Sequence, residues 1–270
     1  GGVGDDINLS IQFILNCGTE QAGSCHGGYH TSTYQFIQDY GQVPYDTCMP
    51  YMACSEESTE GICEHVDTTC SASNICRTCD TFAGMGGECT YIDSYPNATI
   101  AEYGMTPPLV SAIQSEIFVR GPVAATVNAE PLVHYTGGVY KDDSESQQTN
   151  HIVSITGWGT DEEDGTLYWI VRNSWGQYWG EFGFFRIAAG QNLLGIEGEI
   201  AWATPGTFTI HNYPCAENGD GCNGNEQKKQ FMNHHYVDPS EMDVMELLAM
   251  RLPAVEENNP VVEEVAVAEM

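Results

Sequence analysis

Nine of the eleven cysteines fall between Cys17 and Cys89, and residues 44–95 are rich in Cys, Ser, Thr and Gly with little hydrophobic periodicity. Thiols at that density bind metal or staple a loop-rich region. Zinc sites prefer two paired C-x-x-C units or added His ligands. Here only Cys76-x-x-Cys79 occurs, with no matching pair at zinc-ribbon spacing. The cysteines are therefore expected in disulfides, Cys215 with Cys222 in the last segment, and neither a metal nor a cofactor is implied. Disulfides point to an oxidising route: lysosome, vacuole or extracellular space. Two N-glycosylation sequons agree, at Asn8 and Asn97. The odd cysteine count leaves at least one thiol free or paired elsewhere.

Charge narrows the partners. Eight Lys and Arg against 38 Asp and Glu give a formal net charge of −30. Sequence-independent nucleic-acid binding and a polybasic membrane anchor both need cations that this chain lacks. No apolar run approaches the roughly 18 residues of a membrane-spanning helix. The charge is spread along the chain and reads as solubility through self-repulsion. A monomer is expected of the full-length protein.

Short helices are expected over 9–16, with Leu9, Ile11, Phe13, Ile14 and Leu15 apolar, and over 29–40, with Gly41 as the stop. A third is expected over 106–120, with Thr106 as cap and Leu109, Ile113 and Ile117 on one face. Runs rich in Val, Ile, Tyr, Trp and Phe at 122–127, 151–157, 166–172 and 182–188 read as strands, and Asp161–Gly165 as an acidic turn. The order predicts an α+β fold with two unlike halves. Residues 1–105 would form a helical, stapled part and 106–205 a β-rich part. An acidic extension over 206–270 would hold a helix from Asp238 onward and a disordered end. The spacing of Asp142-Asp143 and Asp161–Asp164 does not fit a calcium loop, and His234-His235 lacks further ligands.

His151 follows Asn150 and opens the apolar run Ile152–Ile155, which leads to Gly157-Trp158-Gly159. An imidazole at the mouth of a buried strand needs its second nitrogen held by an acceptor. The amide of Asn173, in Val171-Arg172-Asn173-Ser174-Trp175-Gly176, can do this without adding charge, and an indole beside that bond would exclude water. Together these form one half of a nucleophile, base and orienter device.

These segments resemble the His and Asn blocks of the papain-like cysteine peptidases. Gly23-Ser24-Cys25-His26-Gly27-Gly28 is similar to that family's disulfide-plus-glycine segment, and Leu9-Ser10-Ile11-Gln12 to its helix before the first structural Cys. Tyr135-Thr136-Gly137-Gly138 and the Cys76-x-x-Cys79 cluster ahead of a sequon resemble the cathepsin X branch. The resemblance covers roughly residues 8–205. It implies a papain-like two-domain fold: a helical left domain and a barrel-like antiparallel right domain. It also implies peptide or protein substrates, His151 as general base and acid, Asn173 as its orienter, and Trp175 as shield of their bond and border of the primed side. Gly27 and Gly28 would offer backbone to an extended substrate. The disulfide set would comprise Cys17, Cys25, Cys48, Cys76, Cys79, Cys89, Cys215 and Cys222.

The family's nucleophile signature C-G-[SA]-C-[WY] occurs nowhere in residues 1–270, nor does the Gln that precedes it. Cys25 stands 126 residues before His151, near the family's spacing, but Cys25-His26-Gly27-Gly28 matches the structural segment instead. By resemblance, Cys25 pairs with the first Cys of the nucleophile motif. That leaves it orphaned here and accounts for the odd count. The chain opens at Gly1 without initiator Met, signal or pro-segment, so the expectation is the C-terminal part of a longer enzyme. The branch it resembles trims peptides from the C-terminus. An endopeptidase, an inactive secreted binding module and activity through Cys25 are the alternatives.

Overall fold

The computed structural model describes residues 7–82, 87–210 and 213–224. The expected helix near Asp238 and the expected disorder after 252 lie outside them. Five α-helices occur among the described residues: α1 (Ile11–Cys17), α2 (Thr19–Ala22), α3 (His30–Tyr40), α4 (Ala72–Ile75) and α5 (Val110–Arg120). The short strands of the first half are β1 (Gly23–Ser24), β2 (Gly27–Gly28), β3 (Val43–Pro44), β4 (Arg77–Cys79) and β5 (Cys89–Tyr91). The longer ones are β6 (Asn97–Thr106), β7 (Val123–Val127), β9 (His151–Thr160), β10 (Leu167–Arg172), β11 (Phe184–Ala188) and β12 (Ile200–Phe208), with β8 (Val139–Tyr140) a two-residue edge.

In α1, the Ser10 hydroxyl accepts from the Phe13 amide at 3.1 Å, satisfying one unpaired donor of the first turn. The buried face differs from the apolar reading. Leu9 and Ile11 are exposed, whereas Gln12 and Asn16 are buried beside Phe13. Gln12 donates to the Cys54 carbonyl at 2.8 Å and accepts from the Met52 amide, and Asn16 donates to the Asn74 carbonyl at 3.0 Å. These buried amides tie the helix to the 52–54 coil and to α4. Helix α3 ends as expected, with Gly41 left-handed at φ 92°. Helix α5 starts later than expected: Thr106 closes β6, and Leu109 is the N-cap.

Ten cysteines form five disulfides: Cys17–Cys70, Cys48–Cys76, Cys54–Cys63, Cys79–Cys89 and Cys215–Cys222. Cys54, Cys63 and Cys70, absent from the expected set, are therefore bridged. Cys25 is an exposed free thiol, and the other ten cysteines pair among themselves. Cys76 and Cys79 go to separate bonds, so the C-x-x-C is neither a redox pair nor a metal clip.

The sheet has eight strands in the order β3-β6-β12-β7-β9-β10-β11-β8. It is antiparallel except where β8 joins β11. Strands β3 and β6 come from the first 106 residues, so the sheet reaches beyond the 122–188 stretch where strands were expected. Its main core lies between the sheet and α5, with Ile113, Ile155, Trp169, Val171, Phe185 and Ile200 fully buried. A second, smaller cluster joins Phe13, Phe36, Ile37 and Val43. The acidic turn is as expected: Gly165 and Asp161 close it, and Lys141 bonds Asp161 and Asp164, holding the Asp164 carboxyl down at about 2.

Candidate active site

His151 is the first residue of β9, which lies between β7 and β10. Asn150 fixes that start. Its amide donates to the Val127 carbonyl at 3.0 Å, and its side-chain oxygen accepts from the Ala129 amide at 2.9 Å. This locking role was not read from the sequence, where Asn150 was only a neighbour in a motif. Asn173 follows the last residue of β10. Because β9 and β10 run antiparallel, with Arg172 opposite Ser154, the start of one strand meets the end of the other.

The two side chains meet there. His151 Nε2 lies 2.9 Å from Asn173 Oδ1, and the same oxygen accepts the Ser174 backbone amide at 2.8 Å. A backbone N–H can only donate, so the Asn173 atom facing it is the oxygen. The His151 atom facing that oxygen must then be the donor, and Nε2 carries the proton. In the neutral ring Nδ1 is left with its lone pair, and it makes no hydrogen bond among the described residues. Asn173 is buried, and its backbone N–H donates to the Gly183 carbonyl at 2.9 Å.

The indole of Trp175 stacks on the His151 ring, with centroids 5.3 Å apart and planes 27° apart. Trp179 meets Trp175 edge-on at 5.0 Å, and its ring nitrogen donates to the Leu132 carbonyl at 3.2 Å. This aromatic stack fixes the imidazole plane and keeps water from the bond it makes. Further along the same hairpin, Arg186 clamps both oxygens of Glu181, and Glu181 also accepts the Gly138 amide at 2.9 Å. The Arg186 guanidinium holds the Glu181 carboxyl below its ordinary range. Behind β10, Glu197 accepts from the Trp169 ring nitrogen and from the amides of Gly190 and Asn192. Neither carboxylate was singled out in the sequence; each also has a distant partner, Gly138 for Glu181 and Trp169 for Glu197.

The other expected site residues lie on other elements. Gly27 and Gly28 form β2 and are exposed; no hydrogen bond or ring contact joins them to His151 among the described residues. Both have local reasons to be glycine. A Cβ on Gly28 would lie 2.2 Å from the Ala22 carbonyl oxygen, and Gly27 has φ +135°. Cys25 occupies the β1–β2 turn, its amide donating to the Ser55 hydroxyl at 3.3 Å. It is exposed and stands five residues before the start of α3, not at its first turn. Asn8 is exposed. Asn97 is half-buried at the start of β6, its side-chain nitrogen donating to the Tyr95 carbonyl at 3.0 Å.

An imidazole oriented by a side-chain amide beneath stacked indoles, at the rim of an antiparallel sheet beside a stapled helical half, defines the class of papain-like thiol peptidases. The chain belongs to the papain family of cysteine proteases, whose sequence pattern matches residues 2–204. It is similar to cathepsin Z of Onchocerca volvulus, with 35% identity over 205 residues, covering 73% of this chain and 60% of that protein. Cathepsin B-like cysteine proteinase 1 of Ostertagia ostertagi is also 35% identical, over 72% of this chain and 57% of its own length. Among solved structures, the digestive procathepsin L2 proteinase of the Tenebrio molitor larval midgut superposes with a TM-score of 0.56 and 26% identity, covering 75% of this chain and 55% of that one. Bromelain of Ananas comosus in complex with the E64 inhibitor gives 0.55 and 25%, covering 73% and 78%. The chain spans about 60% of the length of the curated relatives it matches.

Proposed function

We propose that this chain carries the general base and its orienter in a cysteine-type peptidase, and that the nucleophilic thiol comes from a segment outside residues 1–270. The observation that supports this best is the tautomer lock: Asn173 and Ser174 together place the His151 proton on Nε2 and leave Nδ1 for a thiol. The thiol would hand its proton to Nδ1, forming a thiolate–imidazolium pair. The thiolate attacks the peptide carbonyl carbon. As the C–N bond breaks, Nδ1–H protonates the leaving amine, and a thioester remains. Water then gives a proton to Nδ1 while its oxygen attacks the thioester, and the thiolate departs with the acid product released.

Similarity to cathepsin Z supports trimming of single residues from the C-terminus, with endopeptidase action as the second reading. Five disulfides fit a lysosomal, vacuolar or extracellular setting. No helix among the described residues is long and apolar enough to cross a membrane.

The test uses the full natural protein, with peptides bearing free or blocked C-termini and an epoxide thiol inhibitor mapped by mass spectrometry. Cleavage of free C-termini alone supports the exopeptidase, and cleavage of both supports the endopeptidase. Asn173→Ala should lower kcat about 100-fold, the scale of a mispositioned general base. Hydrolysis that survives His151→Ala would sink the proposal, and label on Cys25 would move the nucleophile there. Neither cleavage nor label would favour the inactive binding module.

A further inference from the structure

The loop between β10 and β11 carries two aromatic rings that the catalytic geometry does not use. Tyr178 is 92% exposed and Phe182 is 83% exposed. Phe182 also holds φ +55°, a left-handed conformation that is costly for a bulky L-residue. Packing does not offset that cost, because the ring stands in solvent. Backbone outliers of this kind collect at binding and catalytic sites, where the surrounding structure enforces them.

The enforcement is visible. The Gly183 amide donates to the Trp179 carbonyl at 2.8 Å, and Glu181 and Phe184 exchange backbone hydrogen bonds on either side of Phe182. The loop doubles back on itself, so that a Cβ on Gly183 would lie 3.4 Å from the Gly176 carbonyl oxygen. From the other side the Tyr178 ring covers Gly176, where a Cβ would come within 2.7 Å of the ring. Both aromatic residues therefore flank the turn that directly follows Trp175, and Trp175 stacks on His151. The Gly183 carbonyl that follows Phe182 is also the acceptor for the Asn173 amide.

We infer that Tyr178 and Phe182 form an apolar ledge that selects an aromatic or branched aliphatic side chain on the substrate residue just after the scissile bond. This rests on the peptidase reading above. A general acid must lie within hydrogen-bond reach of the nitrogen it protonates. The residue that leaves with that nitrogen is the one beside the His151 imidazole and its stacked Trp175. Its side chain extends toward the Gly176 turn, where the two exposed rings offer apolar surface directly after Trp175.

The experiment compares kcat/KM of the full natural enzyme on peptides that differ only in the residue after the scissile bond: Phe, Leu, Ser and Gly. The wild type should prefer Phe and Leu over Gly by about tenfold, the low end of discrimination by apolar contact. Tyr178→Ala and Phe182→Asn should each reduce that ratio to about threefold, through KM more than kcat. Phe182→Asn places a residue that tolerates the left-handed region at the strained position, so a folding defect is not expected. Phe82→Ser, at a ring 92% exposed on the first half of the chain, should leave the ratio unchanged. Cleavage with no preference, or a preference that survives both ledge variants, would overturn the ledge while leaving the peptidase reading intact. If no peptide is cleaved at all, the peptidase reading fails and the ledge fails with it.

Discussion

Glu197→Ala should be among the most damaging substitutions outside the catalytic residues. Glu197 is buried, 5% exposed, and its carboxyl oxygens accept three donors: Trp169 Nε1 at 2.8 Å, the Gly190 amide at 2.6 Å and the Asn192 amide at 2.8 Å. Trp169 is fully buried, so its N–H cannot turn to water and loses about 2 kcal/mol when orphaned. The two amides are only partly buried and recover some hydration, at about 1 kcal/mol each. The expected loss is about 4 kcal/mol, a large part of a typical domain's stability. Glu197→Gln keeps one acceptor oxygen but turns an NH2 toward a donor, and about 1.5 kcal/mol should be lost. With a urea m-value of about 3 kcal/mol/M, the midpoint should fall by about 1.3 M for Ala and about 0.5 M for Gln. Urea unfolding followed by tryptophan fluorescence reads both. An Ala variant within 0.2 M of wild type, or a Gln variant less stable than Ala, would refute the reasoning, given that error of about 10–15% is ordinary for such fits.

Two further outcomes follow from the same geometry. Alkylation of residues 1–270 without reductant should label one cysteine, Cys25, and peptide mapping that finds label at Cys54, Cys63 or Cys70 would contradict the disulfide pattern. Arg186 depresses the Glu181 carboxyl in the folded state, so the carboxylate's contribution is complete above its ordinary value near 4.5. It is lost as pH falls below that value through the lowered one. The acid limb of the stability profile should therefore flatten in Glu181→Gln, and an unchanged limb would show that the Arg186–Glu181 pair carries no such linkage.

The candidate site was legible because its parts are compact in sequence. His151 and Asn173 each sit in a short block, and 22 residues of hairpin bring them together, so local patterning carried most of the information. Residues that depend on distant partners were not legible. Asn150 locks to Ala129 across 21 residues, and Glu181 reaches back 43 residues to Gly138. Strands β6 and β12 escaped notice for a different reason. β6 is half-exposed along most of its length and has no apolar run. β12 is interrupted at Pro205, which is tolerated because β7 pairs only with Ile200 and Ala201 and the register against β6 shifts there. In α1, Gln12 and Asn16 took buried places that periodicity assigns to apolar residues, since their amides satisfy the carbonyls of Cys54 in coil and of Asn74 in the one-turn α4.

The sequence by itself determined the chemistry of the base: an imidazole, an amide to orient it and indoles to cover it, all within local segments whose strand periods place them. It also determined that the first half is stapled, because cysteine density is a matter of composition. Only the tertiary structure decided which of the first-half thiols meet, which ring nitrogen of His151 bears the proton, and that Phe182 is held left-handed in solvent in the loop after Trp175. Those outcomes depend on distances between segments far apart in the chain. Such distances are set by packing of the whole molecule, which no local pattern of residue types encodes.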